Sequence, residues 1–293
     1  IRKFGKDSET IYRIYITDKN GKLLDDILLR NIIIADSEKL VESLMDHTVI
    51  SVSAFDDQEL AVRVMEKYDL FAVPVTDSNG MLVGIVTFDD MYDISEEEAT
   101  EDFQKIGGMT PVDQTYLSAG VGVLWFKRFP WLLVLLLANF ITASLITQYQ
   151  GIIAEIIILP AFMPLLLGAA GNTGSQSATL VIRALAIEEI NITDWWKIFL
   201  KEMAVGIMLG LALGLFAYFR GMFNEVQNAS LPLILGLSMI SLILWSNIIG
   251  ALLPLVIKKM GLDPAVISNP LITTLTDVSG IIVYFNIAAV FLH

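Results

Sequence analysis

The second part of the chain is dominated by long apolar stretches that few charged residues interrupt. They begin after Lys127 and Arg128 and are separated by short polar segments. A helix needs about 20 predominantly apolar residues to cross the hydrocarbon core of a bilayer. The pattern predicts five membrane spans, at Phe129–Thr147, Gly151–Leu185, Met203–Tyr218, Leu231–Ile257 and Ala265–Leu292.

The first part of the chain has a different pattern, in which short alternating strands flank Asn-Gly pairs. The segment Thr17–Leu24 recurs 59 residues later as Thr76–Val83. Asn-Gly between apolar runs is typical of a β-hairpin with a type I′ turn, which needs positive φ at both residues. Between the hairpins, apolar residues at helical spacing predict a helix over Asp56–Tyr68. The sequence therefore predicts a tandem repeat of strand, hairpin and helix.

Charge divides the chain at the same place. The net charge is −13, and residues 1–126 carry all of it, because acids and bases balance in the remainder. Hydrophobic residues make up 55% of the chain, and the mean hydropathy of +0.64 is that of a membrane protein. The negative charge argues against nucleic acid as a partner. The absence of cysteine excludes a disulfide scaffold, a thiolate zinc site and a cysteine nucleophile.

The basic residues between the spans indicate an orientation. If the acidic part lies in the cytoplasm, seven Lys and Arg residues fall on the inner side and only Arg220 on the outer side. Such an excess follows the positive-inside rule. We therefore expect a multi-pass protein of the plasma membrane with a cytoplasmic N-terminal domain and an external C-terminus, His293. The inner residues are Lys127, Arg128, Arg183, Lys197, Lys201, Lys258 and Lys259.

Asp277 is the carboxylate that lies deepest within a predicted span. A charge at the centre of a membrane helix costs roughly 2.5–3.5 kcal/mol on insertion scales, so such a residue is a functional candidate. Polar or small residues recur on the same helix face, at Asn269, Thr273, Gly280 and Tyr284. A helix that lines a water-filled path would carry such a stripe.

Glycine patterns mark two further segments. Gly168–Ala178, inside the second predicted span, combines closely spaced glycines with Asn, Ser and Gln. It predicts a loosened helix that presents backbone carbonyls, and these together with one carboxylate suit a hydrated Mg²⁺. Gly206, Gly210 and Gly214 form a GxxxGxxxG ridge, which indicates close helix packing and offers some support for a dimer.

An acidic run without a basic residue extends from Asp89 to Asp102. Like charges at helical spacing repel one another. The run is therefore either a solvated acidic face or a place where divalent cations join elements that otherwise repel. In the second case, cation binding would act as a switch.

Three segments carry a resemblance to a known family, namely Pro164–Leu185, Asp263–Phe285 and the acidic stretch at 96–102. In these segments the chain resembles the MgtE family of magnesium channels or transporters, and its repeat resembles a pair of CBS domains with a truncated first copy. The resemblance implies a multidomain protein, with an α+β cytoplasmic CBS pair followed by an all-α transmembrane domain of five helices. It also implies a homodimer with the pore on its axis. The expected domains are a tandem CBS domain at 1–95, an acidic connecting (plug) helix at 96–126 and a pore domain at 127–293, without the family's N-terminal helical domain.

The resemblance also implies ligands. Asp277 would bind Mg²⁺ in the pore, one from each subunit, with help from Thr274, Asn172 and the neighbouring backbone at Gly171. Thr87 and Asp90 are similar to the family's contacts to ribose and phosphate, which leaves ATP binding at the CBS pair open. Regulatory Mg²⁺ would bind between the CBS, plug and membrane domains. The matching regulatory positions are Asp69 with Asp93, Asp90, and Glu98 or Glu101 with Asp263.

The sequence leaves three functions open. The first is a passive Mg²⁺-selective pore, driven by the membrane potential and gated by cytoplasmic divalent cations. The second is a coupled or less selective transporter for Mn²⁺, Co²⁺ or Ca²⁺, and the third is a non-conducting membrane sensor whose CBS pair reads ATP or magnesium. An enzyme is not expected, because HExxH and GxSxG motifs are absent and the chain has only two histidines, His47 and His293.

Overall fold

The computed structural model describes residues 1, 3, 5–6, 8–223 and 229–292. The chain forms two compact units, Ile1–Thr100 and Glu101–His293. The first unit combines strands and helices, and the second consists mainly of long helices. His293, the predicted external C-terminus, lies outside the described residues.

The first unit contains the predicted repeat as two β-hairpins, each followed by a helix. Its elements are β1 (Arg13–Thr17), β2 (Leu23–Leu28), α1 (Leu29–Ile34), β3 (Val52–Ser53), α2 (Gln58–Tyr68), β4 (Ala72–Thr76), β5 (Leu82–Thr87) and the first part of α3 (Phe88–Ile106). β1 pairs with β2 and β4 pairs with β5, both antiparallel, while β3 pairs with β4 in parallel. A helix before the hairpin is found for the second copy, as α2, but not among the described residues before the first.

The two Asn-Gly turns differ from the predicted type I′ geometry. Gly21 and Gly80 have φ of 86° and 78°, but the asparagines before them do not have positive φ. The N–H of Gly21 donates to the carbonyl of Asp18 at 3.1 Å, and the Asp18 carboxylate accepts the N–H groups of Asn20 and Lys22. The backbone hydrogen bond from Lys22 lowers the pKa of Asp18. The aspartate side chain thus stabilises a longer loop in which only the glycine needs the left-handed conformation.

The two turns also hydrogen-bond to each other. The N–H of Leu23 donates to the carbonyl of Gly80 at 3.0 Å, and the N–H of Leu82 donates to the carbonyl of Gly21 at 2.9 Å. These are equivalent bonds exchanged between equivalent positions of the repeat. The two copies are therefore joined symmetrically through their hairpins.

The second unit contains the apolar helices. They are α4 (Val121–Gln148), α5 (Gln150–Glu155), α6 (Leu159–Ala186), α7 (Trp195–Met222), α8 (Leu231–Lys259) and α9 (Asn269–Leu292). Among the described residues, four segments are long and apolar enough to cross a membrane: Val121–Gln148, Ile192–Met222, Leu231–Lys259 and Asn269–Phe291. α6 is as long as α4, but it is more polar and packs against α8 and α9. Four of the five predicted spans are thus found as candidate spans. The exception is the second, predicted at Gly151–Leu185, most of which forms α6, a helix with nearly half of its residues buried.

The predicted connecting helix at 96–126 is not a single helix. α3 ends at Ile106 and α4 begins at Val121. Gly108 has a φ of 78°, a conformation that ends a helix, and Pro111 cannot continue one. The acidic part of the segment therefore belongs to α3, and its apolar end belongs to α4.

The prediction of a loosened helix at Gly168–Ala178 was wrong, because this segment is regular helix within α6. Its glycines allow other helices to approach. A Cβ on Gly174 would collide with Ser246 Oγ of α8, and a Cβ on Gly250 of α8 would collide with the carbonyl oxygen of Gly174. Small residues have this role between membrane helices. The glycine signal thus reports close packing rather than irregular backbone.

The glycine ridge of α7 is likewise a packing surface within one chain. A Cβ on Gly206 would lie 3.3 Å from Leu244 Cα of α8, and one on Gly210 would lie 3.2 Å from Ile240 Cα. On Gly214 it would lie 2.6 Å from Ile240 Cγ1. Because α8 of the same chain covers the ridge, the ridge does not support the predicted homodimer.

Candidate functional site

Asp277 lies in the middle part of α9, about two turns after Asn269. Its side chain is half-buried. Within the part of the chain that the structure describes, its carboxylate has no hydrogen-bond or ion-pair partner, and no arginine or lysine is paired with it. A carboxylate at this depth without a counter-charge retains its attraction for a cation.

The other predicted pore residues lie on α6 and α9. Thr274 is buried and donates its hydroxyl to the carbonyl of Pro270 at 2.9 Å. Gly171 lies against α9, where a Cβ would be 3.0 Å from Thr273 Cγ2, and Asn172 is exposed. The structure therefore brings α6 and α9 together one turn before Asp277. It does not join Thr274, Asn172 or Gly171 to Asp277 by a hydrogen bond.

Polar contacts between α6 and α9 continue toward the N-terminal end of α9. The hydroxyl of Ser175 donates to the backbone carbonyl of Asn269 at 3.4 Å. The hydroxyl of Thr179 donates to the side-chain oxygen of Asn269 at 3.2 Å. Thr179 was not among the predicted site residues, although its spacing of four from Ser175 places both on one helix face.

The other end of the predicted polar stripe is packed rather than open. The Tyr284 hydroxyl is fully buried and donates to the carbonyl of Leu159 at 3.0 Å. Gly280 is buried, and a Cβ there would lie 2.7 Å from Leu167 Cδ2 of α6. The stripe therefore does not line one continuous aqueous path within the chain, and its polar part ends near Asp277.

A second carboxylate of the helical unit, that of Glu202, was not among the predicted site residues. Glu202 falls just before a predicted span, but α7 begins at Trp195 and places it within the helix. Its Oε2 atom accepts a hydrogen bond from Ser177 Oγ at 2.9 Å and one from Asn247 Nδ2 at 3.1 Å. Ser177 and Asn247 are 3% and 2% exposed. The signal available in the sequence was the polar residues Ser177 and Asn247 inside apolar segments. Buried polar side chains need hydrogen-bond partners, and this need points to a polar residue on a neighbouring helix.

Two of the predicted regulatory carboxylates meet at a lysine. Lys105 Nζ lies 2.6 Å from the carboxylate of Glu101 on the same helix and 2.6 Å from that of Asp263, which precedes α9. Burial alone would lower the pKa of Lys105, but its hydrogen bonds to Asp263 and Glu101 outweigh burial and raise it. A protein ammonium group thus already neutralises this pair.

The remaining regulatory candidates lie in the first unit. Asp69 follows α2 in the left-handed conformation, with φ of 51°, and its N–H donates to the last turn of that helix. The Asp90 carboxylate accepts both the N–H and the hydroxyl of Thr87, at 2.9 and 2.7 Å. Asp93 is exposed, and Glu98 accepts a hydrogen bond from Gln58 Nε2 at 2.7 Å.

A cavity of about 270 Å³ lies in the first unit. It is lined by Arg13 and Asp26, which form an ion pair, and by Leu28 and Asn31. In the repeat, Leu28 and Asn31 hold the positions that Thr87 and Asp90 hold in the second copy, whereas Thr87 and Asp90 do not line this cavity.

Two family models match this chain. The MgtE model, described as a divalent cation transporter, matches residues 163–287, and the CBS domain model matches residues 41–97. The magnesium transporter MgtE of Thermus thermophilus is 41% identical over 293 residues, and that of Enterococcus faecalis is 37% identical over 287 residues. The chain is therefore similar to MgtE magnesium transporters along nearly its whole length.

The MgtE relatives are longer than this chain. The two alignments cover 100% and 98% of this chain but 65% and 62% of the relatives. Among solved structures, the soluble part of a magnesium transporter is 40% identical with a TM-score of 0.33, over 33% of this chain and 38% of that one. The cytosolic domain of the Mg²⁺ channel MgtE in complex with ATP is 43% identical with a TM-score of 0.31, over 32% and 38%.

These matches confirm the resemblance drawn from the sequence. The MgtE match includes nearly all of α6, all of α7 and α8, and Asp277 on α9, and the CBS match lies in the first unit. The chain thus has a CBS region at its N-terminus and a mostly helical membrane region after it. Its relatives are named as transporters rather than enzymes, in agreement with the expectation that it is not an enzyme.

Proposed function

We propose that this chain conducts Mg²⁺ passively across the plasma membrane, through a pore on the axis of a homodimer. The observation that carries the proposal is the half-buried Asp277 carboxylate, which has no counter-charge among the described residues of a membrane helix. A permeating cation supplies the missing charge. Two positive charges that cross a potential of 100 mV gain roughly 4.6 kcal/mol, which suffices for uptake without ATP.

The arrangement of ligands favours a dimer. Among the described residues, no group of three or more His, Cys, Asp or Glu side chains could hold a metal ion. One subunit therefore offers a single carboxylate, and a symmetry-related copy of Asp277 would supply the second. Mg²⁺ dehydrates reluctantly, so two carboxylates with retained water suit it better than a complete protein cage. In this proposal α6 is the fifth span, the CBS pair is cytoplasmic and the C-terminus is external.

The proposal is tested with the purified chain in proteoliposomes. An imposed inside-negative potential should drive Mg²⁺ uptake in the absence of Na⁺ and H⁺ gradients. Uptake that requires either gradient would indicate a coupled carrier, and equal uptake of Mn²⁺, Co²⁺ or Ca²⁺ would indicate a less selective one. Magnesium or ATP binding by the CBS pair without any ion flux would contradict transport and indicate a sensor.

We also propose that cytoplasmic divalent cations gate the pore at the acidic positions around α3. Asp69, Asp90, Asp93 and Glu98 supply carboxylates in the first unit, and Glu101 and Asp263 supply them in the second. The repulsion within the acidic run gives a bound cation its effect, because the run itself contains no basic residue. Lys105, beside the run, pairs with Glu101.

Lys105 should limit the magnesium affinity of the Glu101 and Asp263 pair. In Lys105→Gln the two carboxylates lose their ammonium partner, so Mg²⁺ has more negative charge to bind. We expect the concentration of Mg²⁺ that half-maximally stabilises the protein, measured from its thermal unfolding in detergent, to fall by about two- to fivefold.

Lys259→Gln is the matched control for Lys105. Lys259 is exposed and lies four residues before Asp263, so its loss changes the local charge equally without uncovering the pair. It should leave the magnesium response close to that of wild type. Equal responses of the two variants would mean that Lys105 does not compete with Mg²⁺.

Nucleotide binding at the CBS pair is a second candidate, which the cavity beside Leu28 and Asn31 favours. Arg13 at this cavity pairs with Asp26 through one nitrogen and has further N–H groups for a phosphate, and the apolar residues offer a surface for a base. If the cavity is the site, Asn31→Ala should weaken ATP binding in equilibrium dialysis while Thr87→Ala should not. The opposite result would place the nucleotide at Thr87 and Asp90.

A further inference from the structure

A crevice in the helical unit is separate from the proposed pore residues. It lies between α6 and α7, reaches Asn247 of α8 and encloses about 340 Å³. Half of the residues that line it are aliphatic, and Leu180, Val205 and Leu209 are the exposed ones among these. A cavity of this size that combines an aliphatic surface with polar groups has the character of a site for an amphipathic organic molecule.

The polar end of the crevice carries an incompletely satisfied negative charge. Glu202 lines it, and Oε2 of its carboxylate accepts the hydrogen bonds from Ser177 and Asn247. Oε1 has no hydrogen-bond partner among the residues that the structure describes. Glu189 also lines the crevice, so the acids there outnumber the one lysine, Lys201.

The groups around Glu202 favour an ammonium ion over a metal ion. Ser177 and Asn247 direct an O–H and an N–H at the carboxylate, so they act as donors and do not turn oxygen ligands toward a cation beside it. A metal ion would have one carboxylate oxygen and few further ligands. An ammonium group, which donates hydrogen bonds itself, is satisfied by a free carboxylate oxygen and water.

The depth of Glu202 matches that of a lipid headgroup. Trp195 and Trp196 begin α7, as aromatic residues commonly do at a membrane interface. The uninterrupted apolar run of α7 starts directly after Glu202, at Met203. The carboxylate therefore lies at the boundary between headgroups and hydrocarbon. Lys201 is exposed on the same turn and can extend its ammonium toward the interface.

We propose that this crevice binds a phospholipid of the cytoplasmic leaflet with a primary amine headgroup, such as phosphatidylethanolamine. The lipid ammonium donates to Glu202 Oε1, the phosphate pairs with Lys201, and one acyl chain lies along Leu180, Val205 and Leu209. The trimethylated headgroup of phosphatidylcholine has no N–H to donate, so it satisfies Glu202 less well. The site is distinct from Asp277 and does not depend on Mg²⁺ conduction.

The test measures lipid retention. The full chain is reconstituted in vesicles of equal parts dioleoyl phosphatidylethanolamine, phosphatidylcholine and phosphatidylglycerol, extracted in mild detergent, and its bound lipids are quantified by mass spectrometry. We expect phosphatidylethanolamine to be enriched over phosphatidylcholine by about tenfold in the wild type. Glu202→Gln, which keeps the shape but removes the charge, should bring the ratio close to one.

Two further variants complete the test. Lys197→Ala removes a lysine of the same helix that pairs with Asp194 and does not line the crevice, so it should keep the wild-type enrichment. Val205→Trp fills the crevice and should reduce the total lipid retained. The proposal is overturned by a ratio near one in the wild type, by wild-type enrichment in Glu202→Gln, or by undiminished lipid retention in Val205→Trp.

Discussion

Asp277→Asn should reduce Mg²⁺ uptake into proteoliposomes by at least about tenfold. Asparagine has nearly the same shape as aspartate, so the packing of α9 against α6 should be kept. The change removes the negative charge that attracts a divalent cation. In the proposed dimer both copies of Asp277 lie at the pore axis, so both charges are lost there. Asp277→Ala should abolish uptake, because it also removes the oxygen ligands. The measurement is the initial rate of potential-driven uptake, followed with a magnesium-sensitive dye.

Glu155→Gln is the control for Asp277→Asn. Glu155 is an exposed carboxylate at the end of α5, so the same chemical change is made in the same unit but away from α9. Its uptake should remain near that of wild type. If Asp277→Asn transports Mg²⁺ at the wild-type rate while the protein is folded and reconstituted, Asp277 is not the pore ligand and the proposed pathway fails.

Gly250→Ala should lower the thermal stability of the protein more than any conservative change at a lipid-facing position of the same helix. The added methyl group would collide with the backbone carbonyl of Gly174, which cannot turn away as a flexible side chain does. α6 and α8 must then separate, at a cost of about 1–3 kcal/mol or more. The midpoint of thermal unfolding in detergent, followed by size-exclusion chromatography, should fall clearly.

Gly168→Ala provides the comparison for Gly250→Ala. Gly168 lies in α6, and a Cβ there would have no neighbour within 4 Å. Since alanine is favoured over glycine in a helix by about 0.5–1 kcal/mol, this variant should be unchanged or slightly more stable. Equal losses in both variants would show that the glycines matter for backbone flexibility and not for close helix contact.

The repeat and the apolar helices were predictable because local signals agree with the final fold. The strands expected to flank the first Asn-Gly pair are found, one of them at Arg13–Thr17, and the helix expected over Asp56–Tyr68 is found at Gln58–Tyr68. Alternation and helical spacing are properties of neighbouring residues, so one sequence displays them. The predicted turn type was wrong because the side chain of Asp18, two residues before Asn20, accepts backbone N–H groups and so decides the loop length.

The candidate site was only partly predictable, because its neighbours come from distant parts of the chain. Asp277 was identified because a charged side chain in the middle of a membrane helix is energetically costly. Glu202 did not, because its partners Ser177 and Asn247 are 25 and 45 residues away. The ammonium of Lys105 was missed at Asp263 for the same reason, since 158 residues separate them. The glycines of α6 were interpreted wrongly, because glycine in a sequence can indicate either an irregular helix backbone or close packing against another helix.

The glycine contacts of α8 restrict the movement of α6, α7 and α8 relative to one another. On one side this helix meets the backbone of α6 at Gly174 and Gly250, and on the other it meets α7 at Gly210 and Gly214. Backbones in direct contact have no side chains between them that could rearrange to permit sliding. The three helices therefore form a fixed block, and in the proposed pore we expect opening to come from displacement of α4 or α9 against this block.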